Sequence, residues 1–169
     1  MPENLWIIGT MNTADRSISL LDAALRRRFG FVELMPDPSR LDCSVDGLHL
    51  GSLLRILNSR IRRHVPRNAR ELQIGHSYFM TASGPLETKE ELHLVMRDDV
   101  IPLLAEYCFE NYAALGDILG SGIVDTEAQC LHMAVMDHPE QLYLKLYELI
   151  GDAAPTDEPA REEPLEEET

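Results

Sequence analysis

The spacing of apolar residues changes part-way along the chain and divides it into two kinds of predicted structure. Residues 5–11 form a short continuous apolar run, which predicts a strand buried on both faces. Residues 31–35 (Phe-Val-Glu-Leu-Met) predict a second strand, stopped by Pro36. A helical stripe lies between them, with Asp15 or Ser17 placed to cap it. Its apolar positions are Leu20, Leu21, Ala24 and Leu25. Strand, helix and strand in this order predict one parallel βαβ unit.

From Ser39 onward the apolar spacing is helical. The first stripe predicts a helix from about residue 48 to residue 64, ended by Pro66. Its apolar positions are Leu50, Leu53, Leu54, Leu57 and Ile61. Thr88 is placed to open the next helix, and Pro102 predicts a kink or a fresh start. The second part of the chain is therefore predicted to be a bundle of helices.

Three signals mark the C-terminal third of the chain. Thr126 and Gln129 have the spacing of a capping box, which predicts a helix start. Pro139 suits the first position of a further helix. From Gly151 the chain is rich in Pro, Glu and Asp with almost nothing to bury, which predicts a disordered tail.

Composition places the chain among folded proteins. It has 169 residues, of which 44% are hydrophobic, enough for one sizeable core or two small ones. It contains no apolar run of about 18 residues and no signal-peptide pattern, so we expect a cytoplasmic protein without a membrane segment. Cys43, Cys108 and Cys130 are scattered, which predicts buried reduced thiols rather than disulfides or a metal site.

Charge is distributed unevenly along the chain. The net charge is −14, yet residues 1–70 carry 11 arginines against 7 acidic residues. Residues 71–150 carry 3 basic against 14 acidic residues, and residues 151–169 carry 1 against 8. The acidic total argues against nucleic-acid binding over the whole surface, although it leaves a local basic face open. The arginines of that face are Arg55, Arg60, Arg62, Arg63, Arg67 and Arg70.

The candidate chemistry lies beside the first predicted strand. Ligands of open α/β sheets bind beyond the carboxyl ends of the strands, and Asn12, Asp15 and Arg16 occupy that position. Taken singly, Asn12 is more often a residue that closes a turn on its own backbone. Three consecutive arginines, residues 26–28, end the predicted helix. They point in different directions, so one can reach a ligand while another interacts with the helix dipole.

Residues 9–17 (Gly-Thr-Met-Asn-Thr-Ala-Asp-Arg-Ser) and 21–29 (Leu-Asp-Ala-Ala-Leu-Arg-Arg-Arg-Phe) together resemble the second half of an AAA+ nucleotide-hydrolase domain. The resemblance is strongest to the McrB-like, dynein-related branch. Residues 74–79 (Ile-Gly-His-Ser-Tyr-Phe) and 101–107 (Ile-Pro-Leu-Leu-Ala-Glu-Tyr) resemble the helical lid of that family. In all, the resemblance covers about residues 4–115.

The resemblance implies roles for particular residues. Asn12 matches the sensor-1 position, which contacts the terminal phosphate or the attacking water, with Asp15 and Arg16 beside the same nucleotide. Arg27 and Arg28 match candidate arginine fingers that reach into the adjacent subunit. His76 and Ser77 fall where the lid approaches the nucleotide, although a lone histidine is more often structural. The implied cofactor is ATP or GTP with Mg²⁺, whose ligands are not in this chain.

Two parts of a complete nucleotide site are missing from the sequence. The only lysines, Lys89 and Lys145, do not follow a glycine, so there is no Gly-x-x-x-x-Gly-Lys-Ser/Thr phosphate loop. The single Asp-Glu pair lies in the tail, at residues 157–158, rather than at the end of an apolar strand. We therefore expect the chain to be the C-terminal part of such a module and not to hydrolyse nucleotide alone.

The predicted fold is α/β and mostly helical as present. It comprises the last strand-helix-strand of a P-loop AAA+ core (1–38), an all-α lid (39–120), additional C-terminal helices (121–150) and a disordered acidic tail (151–169). The predicted function is to contribute sensor-1 and arginine-finger residues to nucleotide hydrolysis in a ring. That ring would be a homo-oligomer or would include full-length AAA+ subunits, and would power a modification-dependent DNA restriction endonuclease. The expected partners are an McrC-like endonuclease subunit and DNA, the latter through a domain not present here.

Two alternatives stay open. The chain is a catalytically incomplete module that binds DNA or protein through the basic face of residues 55–70, or it is kept for association through its acidic helical half. Against the first stands the simpler interpretation that this face is solvated and pairs with acidic residues.

Overall fold

The computed structural model describes residues 4–11, 27–65 and 69–151. The chain divides into two compact units, residues 1–34 and residues 35–169. Every helix and strand formed by the described residues lies in the second unit. In those residues no helix is long and apolar enough to cross a membrane.

The two strands predicted in the first unit are not observed. Residues 5–11 and 31–35 form no strand ladder, and Trp6, Ile8 and Leu34 are 88%, 90% and 90% exposed. The predicted parallel pairing of these segments is therefore wrong for the described residues. Two strands alone do not make a stable sheet, because a strand buried on both faces needs further strands and covering layers. The helix predicted between them, with its caps, lies largely outside the described residues.

The second unit begins with a 3₁₀ helix, Pro38–Leu41, followed by strands β1 (Ser44–Val45) and β2 (Leu48–His49). These strands pair antiparallel through a two-residue turn in which Asp46 and Gly47 both have positive φ, at 48° and 94°. That conformation is the usual one for such a hairpin, and Asp-Gly is a preferred sequence for it. Strand β2 ends at His49, and the first long helix begins at the next residue.

Helix α1 spans Leu50–His64, which confirms the predicted helix. The apolar stripe named above is buried, and His49 caps the helix by accepting the backbone N–H of Ser52 at Nδ1. At its first turn α1 packs closely on the 3₁₀ helix, since a Cβ at Gly51 would lie 2.7 Å from the Pro38 carbonyl oxygen. Glycine is needed here for close approach rather than for an unusual φ.

A second 3₁₀ helix, His76–Phe79, leads into strands β3 (Met80–Thr81) and β4 (Gly84–Pro85). Helix α2 (Lys89–Val95) then begins at Thr88, as predicted, with a complete capping box formed by Thr88 and Glu91. A π-helical turn, Met96–Val100, joins α2 to α3 (Ile101–Tyr107). Pro102 explains this wider turn because its ring cannot fit a regular helix interior, so the predicted kink takes the form of a local widening.

The remaining elements are α4 (Tyr112–Leu119), β5 (Val124–Asp125), β6 (Cys130–Leu131), α5 (Met133–Met136) and α6 (Pro139–Gly151). The helix start predicted at Thr126 is wrong, because Asp125 accepts the backbone N–H groups of Glu127 and Ala128 and closes a hairpin loop instead. The helix start at Pro139 is confirmed. Residues of the predicted tail beyond Gly151 lie outside the described part.

The core of the second unit lies between its helices. Helix α1 packs against α4 and α6, and α2 packs against α6. The predicted lid and the predicted additional helices therefore lie in the same unit. Its largest fully buried side chains include Leu53, Leu54, Leu57, Ile61, Ile74, Phe79, Leu92, Met96 and Ile101.

Candidate functional site

The segment 74–79, which resembles the family's lid, is fixed to α1 at its first residue. Asn58 is 5% exposed, and its side-chain amide donates to the Ile74 carbonyl at 2.9 Å while its Oδ1 accepts the Ile74 N–H at 2.7 Å. These two bonds satisfy a buried polar side chain and a buried stretch of backbone at once. Ile74 itself is fully buried, so the start of the segment cannot shift without opening the core.

The same segment is tied to the chain that enters the second unit. The backbone N–H of Asp37 donates to His76 Nδ1 at 3.1 Å. Since a backbone N–H can only donate, Nδ1 must be unprotonated and the ring proton lies on Nε2. Asp37 also caps the first 3₁₀ helix, accepting the Ser39 N–H at 3.0 Å and the Ser39 hydroxyl at 2.6 Å. The Ser39 hydrogen bonds, followed by the charge of Arg40, hold the pKa of the Asp37 carboxyl below its usual value.

Phe79 anchors the other end of the segment. Its side chain is fully buried, and its carbonyl accepts the Leu86 N–H at 3.0 Å. Between the two anchors, Ser77 and Tyr78 are exposed. Burial raises the pKa of Tyr107, and the charge of Tyr78 raises it further. The result is a turn, anchored at both ends, that exposes a serine hydroxyl and a phenol next to an imidazole whose Nε2 carries the proton.

This turn has the chemistry of a site for phosphate or polar groups. A hydroxyl and an imidazole N–H donate hydrogen bonds to anionic oxygens, and an exposed tyrosine ring offers an apolar face to a planar group. The predicted site residues His76 and Ser77 are neighbours in the sequence and lie in one 3₁₀ helix. Their predicted contact with nucleotide stays a prediction.

The other predicted site residues belong to the first unit. Arg27 and Arg28 are exposed, as an arginine that reaches a ligand or a neighbouring subunit must be, and their predicted role as fingers is untested. Asn12, Asp15 and Arg16 lie outside the described residues.

Part of the predicted basic face serves the fold. Arg60 donates from Nη1 to the carbonyls of Asp117 and Ile118, at 3.4 and 3.3 Å, and so caps the C-terminal end of α4. His64 Nδ1 lies 3.1 Å from the Asp117 carboxylate. Arg55, Arg62 and Arg63 are exposed on α1, although Arg62 also bonds the Gln73 side chain at 3.3 Å. The prediction that all six arginines share one binding face is therefore wrong for Arg60, and Arg67 lies outside the described residues.

Sequence reasoning missed a polar cluster that holds α6. Lys89 Nζ lies 3.2 Å from the Asp46 carboxylate and 3.0 Å from that of Glu140, and 4.5 Å from the centre of the Tyr143 ring. Hydrogen bonds to Glu140, then to Asp46, raise the pKa of Lys89. The Tyr143 hydroxyl donates to the Asp46 carbonyl at 2.7 Å. These partners are up to 97 positions apart, so no local spacing signals the cluster.

The cysteines are free, as predicted, but differ in burial. Cys108 is buried, Cys43 is half-buried and Cys130 is exposed, so the prediction of buried thiols is wrong for Cys130. Cys130 is exposed because it lies in strand β6 of a surface hairpin that the sequence pattern did not predict.

The described residues contain no cluster of metal-ligating side chains. Among residues 4–11, 27–65 and 69–151, His, Cys, Asp and Glu side chains form no group of three arranged to hold a metal ion. Residues 74–79 fit the phosphate-bearing part of a nucleotide in donor chemistry, through Ser77 and His76, but bring no carboxylate ligands with them.

Comparison with known proteins identifies the helical unit. Residues 49–116 match the family described as McrB, alpha-helical lid domain. That range begins at the cap of α1 and ends within α4, so it contains both anchors of the turn 74–79. The chain is also 36% identical over 123 residues to the type IV methyl-directed restriction enzyme EcoKMcrB subunit of Escherichia coli (strain K12). The alignment covers 66% of this chain and 27% of that relative. On the lid match and this identity, residues 49–116 are a lid domain of the McrB-like family, and the chain is a partial member of that family.

Proposed function

We propose that this chain takes part in nucleoside triphosphate hydrolysis as the lid-bearing part of an McrB-like subunit in a ring. The substrate class is ATP or GTP, and the ring powers a modification-dependent DNA restriction endonuclease. One observation carries the proposal: the match to the lid domain contains the anchored turn at residues 74–79, which presents Ser77 and Tyr78 outward. The name of the Escherichia coli relative, a restriction enzyme subunit, supports the biological setting.

Each predicted site residue has a role in this proposal. Asn12 orients the terminal phosphate or the attacking water, with Asp15 and Arg16 beside it, and His76 Nε2 and Ser77 Oγ donate to phosphate oxygens. Arg27 and Arg28 act on the site of a neighbouring subunit, where a cation neutralises the charge that develops during phosphoryl transfer. Such arginine fingers contribute roughly 10³–10⁵ in rate. The Mg²⁺ that accompanies the nucleotide is held by ligands outside the described residues.

The proposed partners follow from the same family relationship. They are further AAA+ subunits that complete the ring, an McrC-like endonuclease subunit, and DNA. The proposed role of Arg27 and Arg28 requires a neighbouring subunit, because an arginine finger acts on the nucleotide bound by the adjacent subunit.

Complementation tests the finger role most directly. A full-length McrB-like protein whose own arginine fingers are replaced by alanine is mixed with this chain, and nucleotide turnover is measured. Wild-type chain is expected to restore turnover, whereas Arg27→Ala with Arg28→Ala should lower it by about 10³-fold. Arg97→Ala is the matched control, since it removes an arginine that pairs with Asp98 beside it. Equal turnover with and without Arg27 and Arg28 would exclude the finger role.

The isolated chain provides a second test. Because its sequence has no phosphate-binding loop, we expect no magnesium-dependent turnover from the purified chain alone. If the purified chain does turn over nucleotide and Asn12→Ala abolishes that activity, the site is complete without a partner.

A second candidate function is phosphate binding by α1. This helix contains no acidic residue, and Arg55, Arg62 and Arg63 are exposed on it. An electrophoretic mobility shift of DNA at low salt, lost in Arg62→Glu with Arg63→Glu, would support this function because contacts to phosphate are strongly salt-dependent. Arg97→Glu, which reverses a single charge outside α1, serves as the control. Absence of a shift at low salt would exclude phosphate binding by α1.

A further inference from the structure

The segment that joins the two compact units has an unusual backbone. The boundary falls between Leu34 and Met35, and the next residues are Pro36, Asp37 and Pro38. Proline has no backbone N–H, so Asp37 provides the single backbone donor of these three residues. Its φ of −116° and ψ of 97° are the extended values that a residue before proline adopts. That donor is given to His76 Nδ1 at 3.1 Å.

The other contacts of Asp37 are local. Its carboxylate accepts from Ser39 and lies 3.5 Å from Arg40 Nε, so these bonds shape the first 3₁₀ helix. The bond to His76 is different, because it joins residues 39 positions apart and connects two 3₁₀ helices. It therefore ties the segment 35–38, called the connector below, to the turn that carries Ser77.

The two ring nitrogens of His76 can bond to different groups. Nδ1 is used by the connector, which leaves the protonated Nε2 for a second acceptor on the other side of the ring. Ser77 follows directly in the same 3₁₀ helix, and the helix is fixed at both ends by Ile74 and Phe79. Because the ring belongs to the exposed turn and is bonded to the connector, a movement of the ring would displace both segments.

We propose that His76 is a positioning residue that clamps the connector and thereby holds the lid turn in place during nucleotide turnover. The clamp itself stands on the hydrogen bond at Asp37, whereas its effect on turnover rests on the proposed function. His76 acts through the backbone of Asp37, and its contact with phosphate at Nε2 is a separate property.

Amide exchange at Asp37, measured by NMR on the full chain, tests the clamp. His76→Ala and His76→Gln should speed exchange of this amide by about fivefold, the factor that one net hydrogen bond provides. His76→Asn should restore protection, because its Oδ1 takes the place of Nδ1 as an acceptor, whereas the glutamine oxygen reaches the position of Nε2. Ring ¹⁵N shifts of the wild type should report the tautomer with the proton on Nε2. His138→Ala, at an exposed histidine, is the control.

Two results of the exchange experiment would overturn the proposal. Equal Asp37 exchange in wild type and His76→Ala, or a failure of His76→Asn to restore protection, excludes the clamp. If the clamp is confirmed, the complementation assay is repeated, and His76→Ala should lower the turnover number more than His76→Asn does. Equal turnover in both variants would exclude the positioning role. If the wild-type chain fails to complement, the proposed function and the effect of His76 on turnover are both rejected. The exchange experiment tests the clamp independently of that result.

Discussion

Asn58 and Ile74 exchange two hydrogen bonds across the core of the helical unit, at 2.9 and 2.7 Å. Asn58 lies in the middle of α1, and Ile74 begins the turn that presents Ser77 and Tyr78. The pair therefore couples helix α1 to the turn that exposes Ser77 and Tyr78. Because both groups are buried, breaking the pair leaves a backbone donor and a backbone acceptor without partners, which lowers the free energy of unfolding.

Asn58→Ala should destabilise the protein by about 3 kcal/mol, the combined cost of two unsatisfied backbone groups and a small cavity. Urea unfolding followed by circular dichroism measures the change. Asn111→Ala is the matched control, since Asn111 caps α4 from an exposed position and its loss should cost about 1 kcal/mol. Equal effects of the two substitutions would contradict the role given to Asn58.

The capping box of α2 predicts a pH dependence. Glu91 accepts the backbone N–H groups of Glu87 and Thr88, and these bonds hold the pKa of its carboxyl below the ordinary value of 4.5. Because the folded-state pKa is the lower one, this stabilisation is complete above pH 4.5 and is lost as the pH falls through the folded-state value. Glu91→Gln should therefore show a smaller loss of unfolding free energy on acidification than the wild type.

The measurement compares wild type and Glu91→Gln at about pH 7 and about pH 3, on either side of the carboxyl titration range. Thr88→Ala provides a second variant, which removes the other half of the box and should cost about 1 kcal/mol at neutral pH. An identical pH profile in wild type and Glu91→Gln would show that the carboxylate makes no net contribution.

The three thiols should differ in reactivity. Burial raises the pKa of Cys108 to about 11, so at about pH 8 roughly one Cys108 thiol in a thousand is the reactive thiolate. Cys130 is exposed and should react first with a thiol reagent such as DTNB in the folded protein. Cys130→Ser should remove the fast phase, and urea should make Cys108 reactive. A fast phase that persists in Cys130→Ser would contradict this order.

Gly51→Ala should destabilise the protein although alanine favours helices. The added Cβ would lie 2.7 Å from the Pro38 carbonyl oxygen and 3.2 Å from that of Leu41, and both are backbone atoms that cannot rotate away. We expect a net loss of about 2 kcal/mol, because overpacking outweighs the gain of about 1 kcal/mol in helix propensity. Ser59→Ala, at a half-buried position of the same helix, is the control and should be close to neutral. Increased stability in Gly51→Ala would show that the 3₁₀ helix can move aside.

Tyr143→Phe should weaken the attachment of α6 by about 1 kcal/mol, the net value of the hydrogen bond to the Asp46 carbonyl. The family match ends at residue 116, so this contact tests whether the later helix is part of the same folding unit. Thermal unfolding should remain a single transition at lower temperature. Tyr147→Phe, at a half-exposed tyrosine on the same helix, is the control. An unchanged unfolding temperature in Tyr143→Phe would contradict the contribution of this bond.

The sequence by itself determined the helices whose signals are local. The stripe from Leu50 to Ile61 predicted α1, Thr88 predicted the start of α2, and Pro139 predicted the start of α6. Each of these signals operates within one or two turns, where side-chain spacing and capping geometry are set by the helix itself. The family resemblance was likewise readable, because its lid motif is a continuous run of residues that ends at Phe79.

Tertiary structure decided everything that depends on distant partners. Residues 5–11 have the composition of a buried strand, but burial needs neighbours that the described residues do not provide. Thr126 has the spacing of a cap, yet Asp125 turns the chain into a hairpin. Asn58 and His76 acquire their roles from Ile74 and Asp37, which lie 16 and 39 positions away. No pattern within a helix or turn encodes such a pair, because only the folded chain brings the two residues within hydrogen-bonding distance.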